Sequence, residues 1–235
     1  MKISAALHLE RGSTNVNLLS PPIREFSYLD CCRRAELLRE EASKLPEGSE
    51  VLLDIGGRGK PYAPLFEGRV THYYVVDIEN EGTVDVVGDA KKIPLRNNTV
   101  DVVLCTQVLE HVNDPVAVID EIKRVLKPKG VLLLSAPGIF CQHGSPGDYF
   151  RYMPQGLEWL LRDFRQVNVK AEAGTLSSFF LVINMYLCVF SSWSPWFQKF
   201  ISWIVCPITN AMGLLAGRIH RGKQFASNYF VIAIR

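Results

Sequence analysis

Five short apolar runs return at intervals between Val51 and Ser135, at 51–54, 73–77, 84–87, 100–105 and 131–135, with loops or helical stretches between them. Val, Ile and Leu in runs of this length suit strands buried on both faces. Segments of a dozen or more residues between such runs are what parallel neighbours need to cross over. The alternation therefore predicts a parallel sheet with helices on its faces.

The remaining periodicities fill in this frame. Over 28–45, Leu29, Cys32, Ala35, Leu38, Ala42 and Leu45 recur at helical spacing until Pro46 and Gly48 stop the element. Over 113–130, Asp114 is placed to cap a helix, Pro115 suits its first turn, and Val116, Ile119, Ile122, Val125 and Leu126 form one face. A further helix is predicted around 154–164, carrying Leu157, Leu160 and Leu161, followed by a strand near 166–171. The ending NYFVIAIR reads as a last buried strand. Residues 1–27, with Pro21 and Pro22, read as an extended arm without a chemical role. The predicted domain comprises 28–172 and 224–235, and an apolar insertion occupies 173–223.

A chain of 235 residues can bury the core of one such domain. Its net charge of +2 shows no footprint for nucleic acid. Six cysteines, at 31, 32, 105, 141, 188 and 206, form no CxxC pair and no zinc spacing with histidine, so they read as reduced thiols in a reducing compartment. Glu10 and Arg11 interrupt what a secretory peptide would need, and a cytoplasmic location is expected.

Chemistry gathers where the first strand ends. VLLDIGGRGKPY places Asp54 at the strand end and Gly56, Gly57 and Gly59 in the turn, where a ligand crossing a doubly wound sheet must approach the backbone. The second strand ends HYYVVDIE. Its Asp77 lies about 20 residues beyond the glycines, the separation at which a carboxylate accepts both ribose hydroxyls. A ribose-bearing cofactor is expected. A nicotinamide site wants GxGxxG, yet Tyr62 stands at the third glycine position, and no tyrosine is followed four residues later by lysine.

The third and fourth strands carry VVGDAKKIPLRNNTVDVVLCTQVLEHVNDP. In this order and spacing the chain resembles the class I methyltransferases that use S-adenosylmethionine, specifically their type 11 branch. The resemblance covers about 51–164 and returns in the final strand, and it implies a Rossmann-like, mostly parallel sheet closed by an antiparallel last strand. It implies that Asp89 and Ala90 bracket adenine, that Ile93 and Pro94 precede the fourth strand, and that Gln107 sits near the methionine part of the cofactor. Asp54 and Gly56 would face the amino and carboxylate groups. The implied cofactor set is Asp54, Gly56, Gly57, Gly59, Asp77, Ile78, Asp89, Ala90 and Gln107. The turn also resembles a sub-branch with DxGCGxxPY, found among enzymes acting on surface sugars or lipids. Arg58 departs from that pattern where glycine is usual. Because arginine takes positive φ at a cost, Gly57 or Gly59 is expected to absorb it.

Methyl transfer from a sulfonium is chiefly a matter of placing the acceptor in line, and a base matters only if the acceptor must lose a proton early. The loop APGIFCQHGSPGDYFRYMP supplies His143, Asp148, Tyr149 and Arg151 as candidates for that work. They can equally fasten the loop, with Asp148 paired to Arg151. Glu110 and His111 resemble part of the E-x-x-EH metal motif of the ubiquinone O-methyltransferase branch. With Gln107 at its first position no metal is expected, and His111 is assigned to a backbone hydrogen bond.

Between Ala173 and Gly217 the only charge is Lys199, while Phe179, Phe180, Trp193, Trp196, Phe197, Phe200 and Trp203 crowd the stretch. Arg218, His220, Arg221 and Lys223 follow. Aromatic rings with a basic flank suit a lipid headgroup region. If the strands on either side share a sheet, an odd number of membrane spans is impossible. A helical pair lying on or dipping into the membrane through 176–216 is expected, with a lid or a dimer interface as alternatives. The acceptor is then a small molecule of hydrophobic, lipid-linked or glycan type, met at the inner membrane face. Two other readings stay open: a scaffold that binds the cofactor without turnover, and a nicotinamide-dependent oxidoreductase.

Overall fold

A computed structural model of the chain describes residues 17–81, 83–143, 147–219, 222 and 224–235. Residues 1–16 of the expected arm, and His220, Arg221 and Lys223 of the expected basic flank, lie outside the described residues.

Seven strands form one sheet: β1 Val51–Ile55, β2 His72–Asp77, β3 Val86–Val87, β4 Val100–Thr106, β5 Leu126–Pro137, β6 Gln166–Ala171 and β7 Asn228–Ile234, in the order β3-β2-β1-β4-β5-β7-β6. Parallel ladders run from β3 to β5, and β7 lies antiparallel between β5 and β6.

Alternation along the strands sorts the core onto two faces. Leu53, Ile55, Val103 and Cys105 meet α3 (Pro115–Val125) and α4 (Pro154–Leu160) on one side. Leu52, Val102 and Leu104 meet Leu37 and Leu38 of α1 (Tyr28–Ser43) and Phe66 of α2 (Ala63–Phe66) on the other. α3 starts as its sequence requires: the Asp114 carboxylate accepts from the Ala117 N–H at 3.1 Å, and Pro115 opens the first turn.

The third strand is shorter than the run 84–87 predicts, and Asp85 is the reason. Its carboxylate accepts from the Val75 N–H at 2.8 Å and pairs with Lys60 at 2.9 Å, so a side chain takes the place of a ladder bond and pairing begins only at Val86. The helix expected over 154–164 ends at Leu160 and passes through turns into β6.

The insertion between β6 and β7 is helical: α5 Thr175–Ser191, α6 Pro195–Phe200, a π turn Ile201–Val205, and α7 Cys206–Ile219. α5 and α7 form an antiparallel hairpin, since Ser177 donates to Gly213 O at 2.9 Å at one end and Asn184 donates to Asn210 Oδ1 at 2.9 Å further along. The approach is close. A Cβ on Gly217 would lie 2.3 Å from the Ser177 hydroxyl, and one on Gly213 would lie 3.3 Å from Phe180 of α5 and 2.6 Å from Leu29 of α1. Asn210 also donates to the carbonyls of Ile23 and Glu25, at 2.7 and 2.8 Å, tying the arm to the hairpin. The inner face packs on Phe26 and Leu29. The outer face is bare, with Trp196 77% and Ile219 83% exposed.

Candidate cofactor cleft and acceptor site

A cleft of about 990 Å³ opens beyond the carboxyl ends of β1, β2 and β4, where the connections leave in opposite directions. Of the sequence-expected cofactor residues, Gly56, Gly57, Gly59, Asp77, Ile78, Asp89, Ala90 and Gln107 all line it. Asp54 does not; it lies fully buried beneath the glycine turn, where Tyr73 donates to its Oδ2 at 2.6 Å. Burial pushes the Asp54 carboxyl up to about 7, and its Oδ1 has no hydrogen-bond partner.

The turn shows why two of its glycines are needed. A Cβ on Gly57 would sit 1.8 Å from the Asp54 carboxylate, so no side chain fits there. Gly59 takes φ +76°, leaving Arg58 outside the left-handed region. Arg58 reaches across the cleft instead. Its Nε and Nη2 donate to Asp77 at 2.9 and 3.0 Å, and it pairs with Glu79 at 2.8 Å and Glu81 at 2.7 Å. Both oxygens expected to hold ribose are thus engaged by an arginine.

Gln107 occupies a strained position, with φ +55° in a non-glycine residue. Its N–H donates to Ser135 O at 2.9 Å, and its side-chain amide donates to Ser135 Oγ at 2.9 Å and Asn228 Oδ1 at 3.1 Å. A buried polar network holds it from behind. Arg34 bonds Glu172 through two nitrogens at 2.8 and 2.9 Å, the Ser135 hydroxyl donates to Glu172, and Asn228 and Ser227 donate to Asp30. Burial and the nearby Glu172 charge raise the Asp30 carboxyl to about 7. This network pairs its buried polar groups with one another and fixes the cleft wall at the end of β4.

The four candidates from the β5 loop separate. Tyr149 lines the cleft and is 54% exposed. Arg151 pairs with Asp148 at 2.5 and 2.7 Å and donates to the carbonyls of Phe140 and Cys141. Asp148 accepts from the His143 N–H at 2.8 Å. Burial works against the Asp148 charge, but Arg151 and that N–H outweigh it and hold its pKa below the usual value. His143 is buried and faces Glu110, whose carboxyl burial pushes up to about 8. His111 lines the cleft, and its Nδ1 lies 2.7 Å from Gly147 O, a backbone oxygen of the β5 loop rather than of the strand-to-helix turn where its bond was expected.

Sequence periodicity did not point to the other wall. Asn17, Leu18, Glu25, Phe26 and Ser27 of the arm line the cleft, as do Arg34 of α1 and Tyr62. The double proline and the amphipathic helix mark the local structure there; no local signal brings them to a sheet edge.

Residues 53–134 match the type 11 methyltransferase family, described as a methyltransferase domain. This segment is a class I methyltransferase domain. S-adenosylmethionine, the cofactor of that family, fits the residues present: a cleft of sufficient volume lined by Gly56, Gly57 and Gly59 of the turn, with a carboxylate at the end of β2. The chain is 30% identical over 128 residues to an uncharacterized methyltransferase from Mycobacterium sp. (strain KMS), spanning 49% of this chain and 51% of that one. It spans about half, or less, of the length of the curated relatives it matches. In fold it is similar to a SAM-dependent methyltransferase from Archaeoglobus fulgidus, with TM-score 0.52 and 17% identity over 85% of this chain and 94% of that one. It is also similar to phosphoethanolamine N-methyltransferase 2 of Haemonchus contortus solved with S-adenosylhomocysteine, with TM-score 0.53 and 15% identity over 91% and 60%.

Proposed function

We propose that the chain transfers a methyl group from S-adenosylmethionine to a hydrophobic or lipid-linked acceptor, of glycolipid or glycan type, at the cytoplasmic face of a membrane. The observation that carries this reading is the hairpin's bare outer face together with its inner contact. Phe26 packs in the hairpin's core and also lines the cleft, so a surface suited to lipid adjoins the place where an acceptor must enter. Pro195–Ile219 is long and apolar enough to cross a bilayer, but α5 has only 17 residues and both hairpin ends return to one sheet. That geometry favours a pair dipping into one leaflet.

When bound, the cofactor supplies an electrophilic methyl on a sulfonium. The chain's own residues supply position. Gln107, pinned by Ser135 and Asn228, orients the methionine end; Asp77 holds the ribose once Arg58 yields; Asp89 and Ala90 border the adenine. Tyr149 and His111, both on the cleft wall, are the groups from this chain placed to orient an acceptor hydroxyl or amine.

The test is flotation of the full chain with vesicles containing anionic lipid, beside a variant lacking 176–216. The full chain is expected to float with the vesicles, and the deleted variant to stay behind while still binding S-adenosylhomocysteine. A full chain that remains a lipid-free monomer sinks the membrane half of the proposal. One observation favours a second reading, a cofactor-binding scaffold without turnover: Arg58 engages both Asp77 oxygens. Calorimetric titration with S-adenosylmethionine that shows no heat would favour it.

A further inference from the structure

The acidic and basic side chains that line the cleft are paired, with one exception. Arg34 bonds Glu172 in the wall behind, Arg58 pairs with Asp77 and Glu81, and Lys91 lies 3.6 Å from the Asp89 carboxylate. Glu25 also lines the cleft, half-buried, and its carboxylate has neither an ion pair nor a hydrogen bond among the described residues. A carboxylate drawn out of water without a partner is destabilising, so a cation belongs beside it once the cleft is filled.

The fold holds Glu25 in this position and turns its neighbour away. The Glu25 N–H donates to Pro22 O at 2.9 Å, and its carbonyl accepts from the Tyr28 N–H at 3.2 Å and from Asn210 of α7 at 2.8 Å. Arg24 is the cation next to it in the chain and does not neutralise it. The Arg24 guanidinium lies over the Trp203 ring, 4.6 Å from its centre, and the Arg24 carbonyl accepts from Ser202 at 3.3 Å. Asn210, Ser202 and Trp203 all belong to the helical insertion. The unpaired charge therefore stands where the cleft meets the segment with the bare apolar face.

We infer that the methyl acceptor carries a cationic amine and that Glu25 binds it. This rests on the proposed transfer to a lipid-linked acceptor and names the group that receives the methyl: an ammonium on the Glu25 carboxylate, with the apolar part of the molecule along Phe26 toward the hairpin. The cofactor brings a sulfonium, so an ammonium is repelled from the cleft unless an anion stands on the acceptor's side; a hydroxyl acceptor has no use for one. The nitrogen loses one proton to water before its lone pair forms the N–C bond, while the C–S bond breaks and its electron pair stays on sulfur. Glu25 is thus a residue that selects the acceptor, and the cofactor does not depend on it.

The full chain is titrated by calorimetry at neutral pH with decylamine and, separately, with decanol, both below micelle-forming concentration, with and without saturating S-adenosylhomocysteine. Decylamine should bind about tenfold or more tightly than decanol. Glu25→Gln should remove that preference, weakening decylamine about tenfold while leaving decanol, S-adenosylhomocysteine and the melting temperature close to wild type, because the backbone bonds of residue 25 remain. Glu25→Asp keeps the charge and should restore most of the preference. Equal binding of amine and alcohol, or a Glu25→Gln variant that takes up decylamine as wild type does, would overturn the inference. So would a Glu25→Gln variant that loses S-adenosylhomocysteine as strongly as decylamine, because Glu25 would then serve the cofactor's own ammonium. A wild-type chain that gives no heat with S-adenosylhomocysteine breaks the transferase reading, and the acceptor role of the amine with it, a failure visible apart from the amine preference measured without that ligand.

Discussion

α3 and α7 carry apolar residues at the same helical spacing and point them in opposite directions. In α3 the stripe Val118, Ile119, Ile122 and Val125 is buried against the sheet. In α7 the buried residues are Cys206, Asn210 and Gly213, while Ile208, Met212, Leu215 and Ile219, continuing from Ile204 in the π turn, form a stripe 48–83% exposed. α5 mixes the two plans, with Leu181, Met185 and Cys188 buried beside Ser177, Ser178, Asn184 and Ser191, and Phe179, Tyr186 and Phe190 outside. Small and polar residues let two helices approach closely and bond across the seam, an arrangement suited to helices whose outer environment is as apolar as their side chains. An exposed apolar surface of this extent marks an interaction site.

The contrast can be broken most sharply by one substitution made in each helix. Ile122→Asp buries a lone charge in the main core and is expected to leave the chain unfolded, a loss above about 4 kcal/mol read by circular dichroism. Leu215→Asp should leave the melting temperature within a few degrees of wild type and lower vesicle affinity about tenfold or more, since one large apolar side chain is worth about 1.5–3 kcal/mol. If Leu215→Asp unfolds the protein instead, the outer face is a buried surface after all.

On the sheet side, charges are paired where the hairpin has almost none, and Arg58 is the point at which to sharpen the difference. Arg58→Ala removes the arginine from both Asp77 oxygens, leaving only the Glu79 N–H on Oδ1, and should tighten S-adenosylhomocysteine by about tenfold in calorimetry, or about 1.4 kcal/mol. Weaker binding would mean that the arginine is part of the ribose site. The smallest effect is expected from Asp54→Asn. The wild-type carboxyl keeps its proton when folded up to about pH 7, whereas the unfolded chain loses it near 3.8. Its contribution to stability is therefore lost as pH rises through that window. The variant lacks this loss, so relative to wild type it should melt higher at pH 8 than at pH 4.5, by a few degrees; a pH-independent difference would mean Asp54 is ionised in the fold.

Much of the sheet was legible because its signals are local: Asp114 before Pro115, glycines after a buried strand, an acidic residue ending the next one. The cofactor wall followed the same logic, since the glycine turn and Asp77 belong to consecutive units. Periodicity could announce the apolar face of α7 but not what it faces, because burial depends on neighbours the pattern does not contain. Phe26 and Asn17 reached the cleft unannounced, since the arm is held by Asn210, far away in the chain. Arg58 was recognisable as a misfit in its turn, but its bond to Asp77 exists only once β1 and β2 lie side by side. His143 joined Glu110 for a similar reason, across the gap between two loops.

The two ends of the hairpin are clasped together at its base. Thr175 bonds the carbonyl of Gly222 through both its N–H and its hydroxyl, each at 2.8 Å, so the chain leaves and re-enters the sheet at one place. A loop pinned at its base can grow or shrink at an entropic cost of only about 0.6 kcal/mol per doubling, without shifting the register of β6 on β7. The clasp therefore lets the length of the segment vary without disturbing the sheet, while its packing on Phe26, which also lines the cleft, couples what the hairpin touches to the cleft wall.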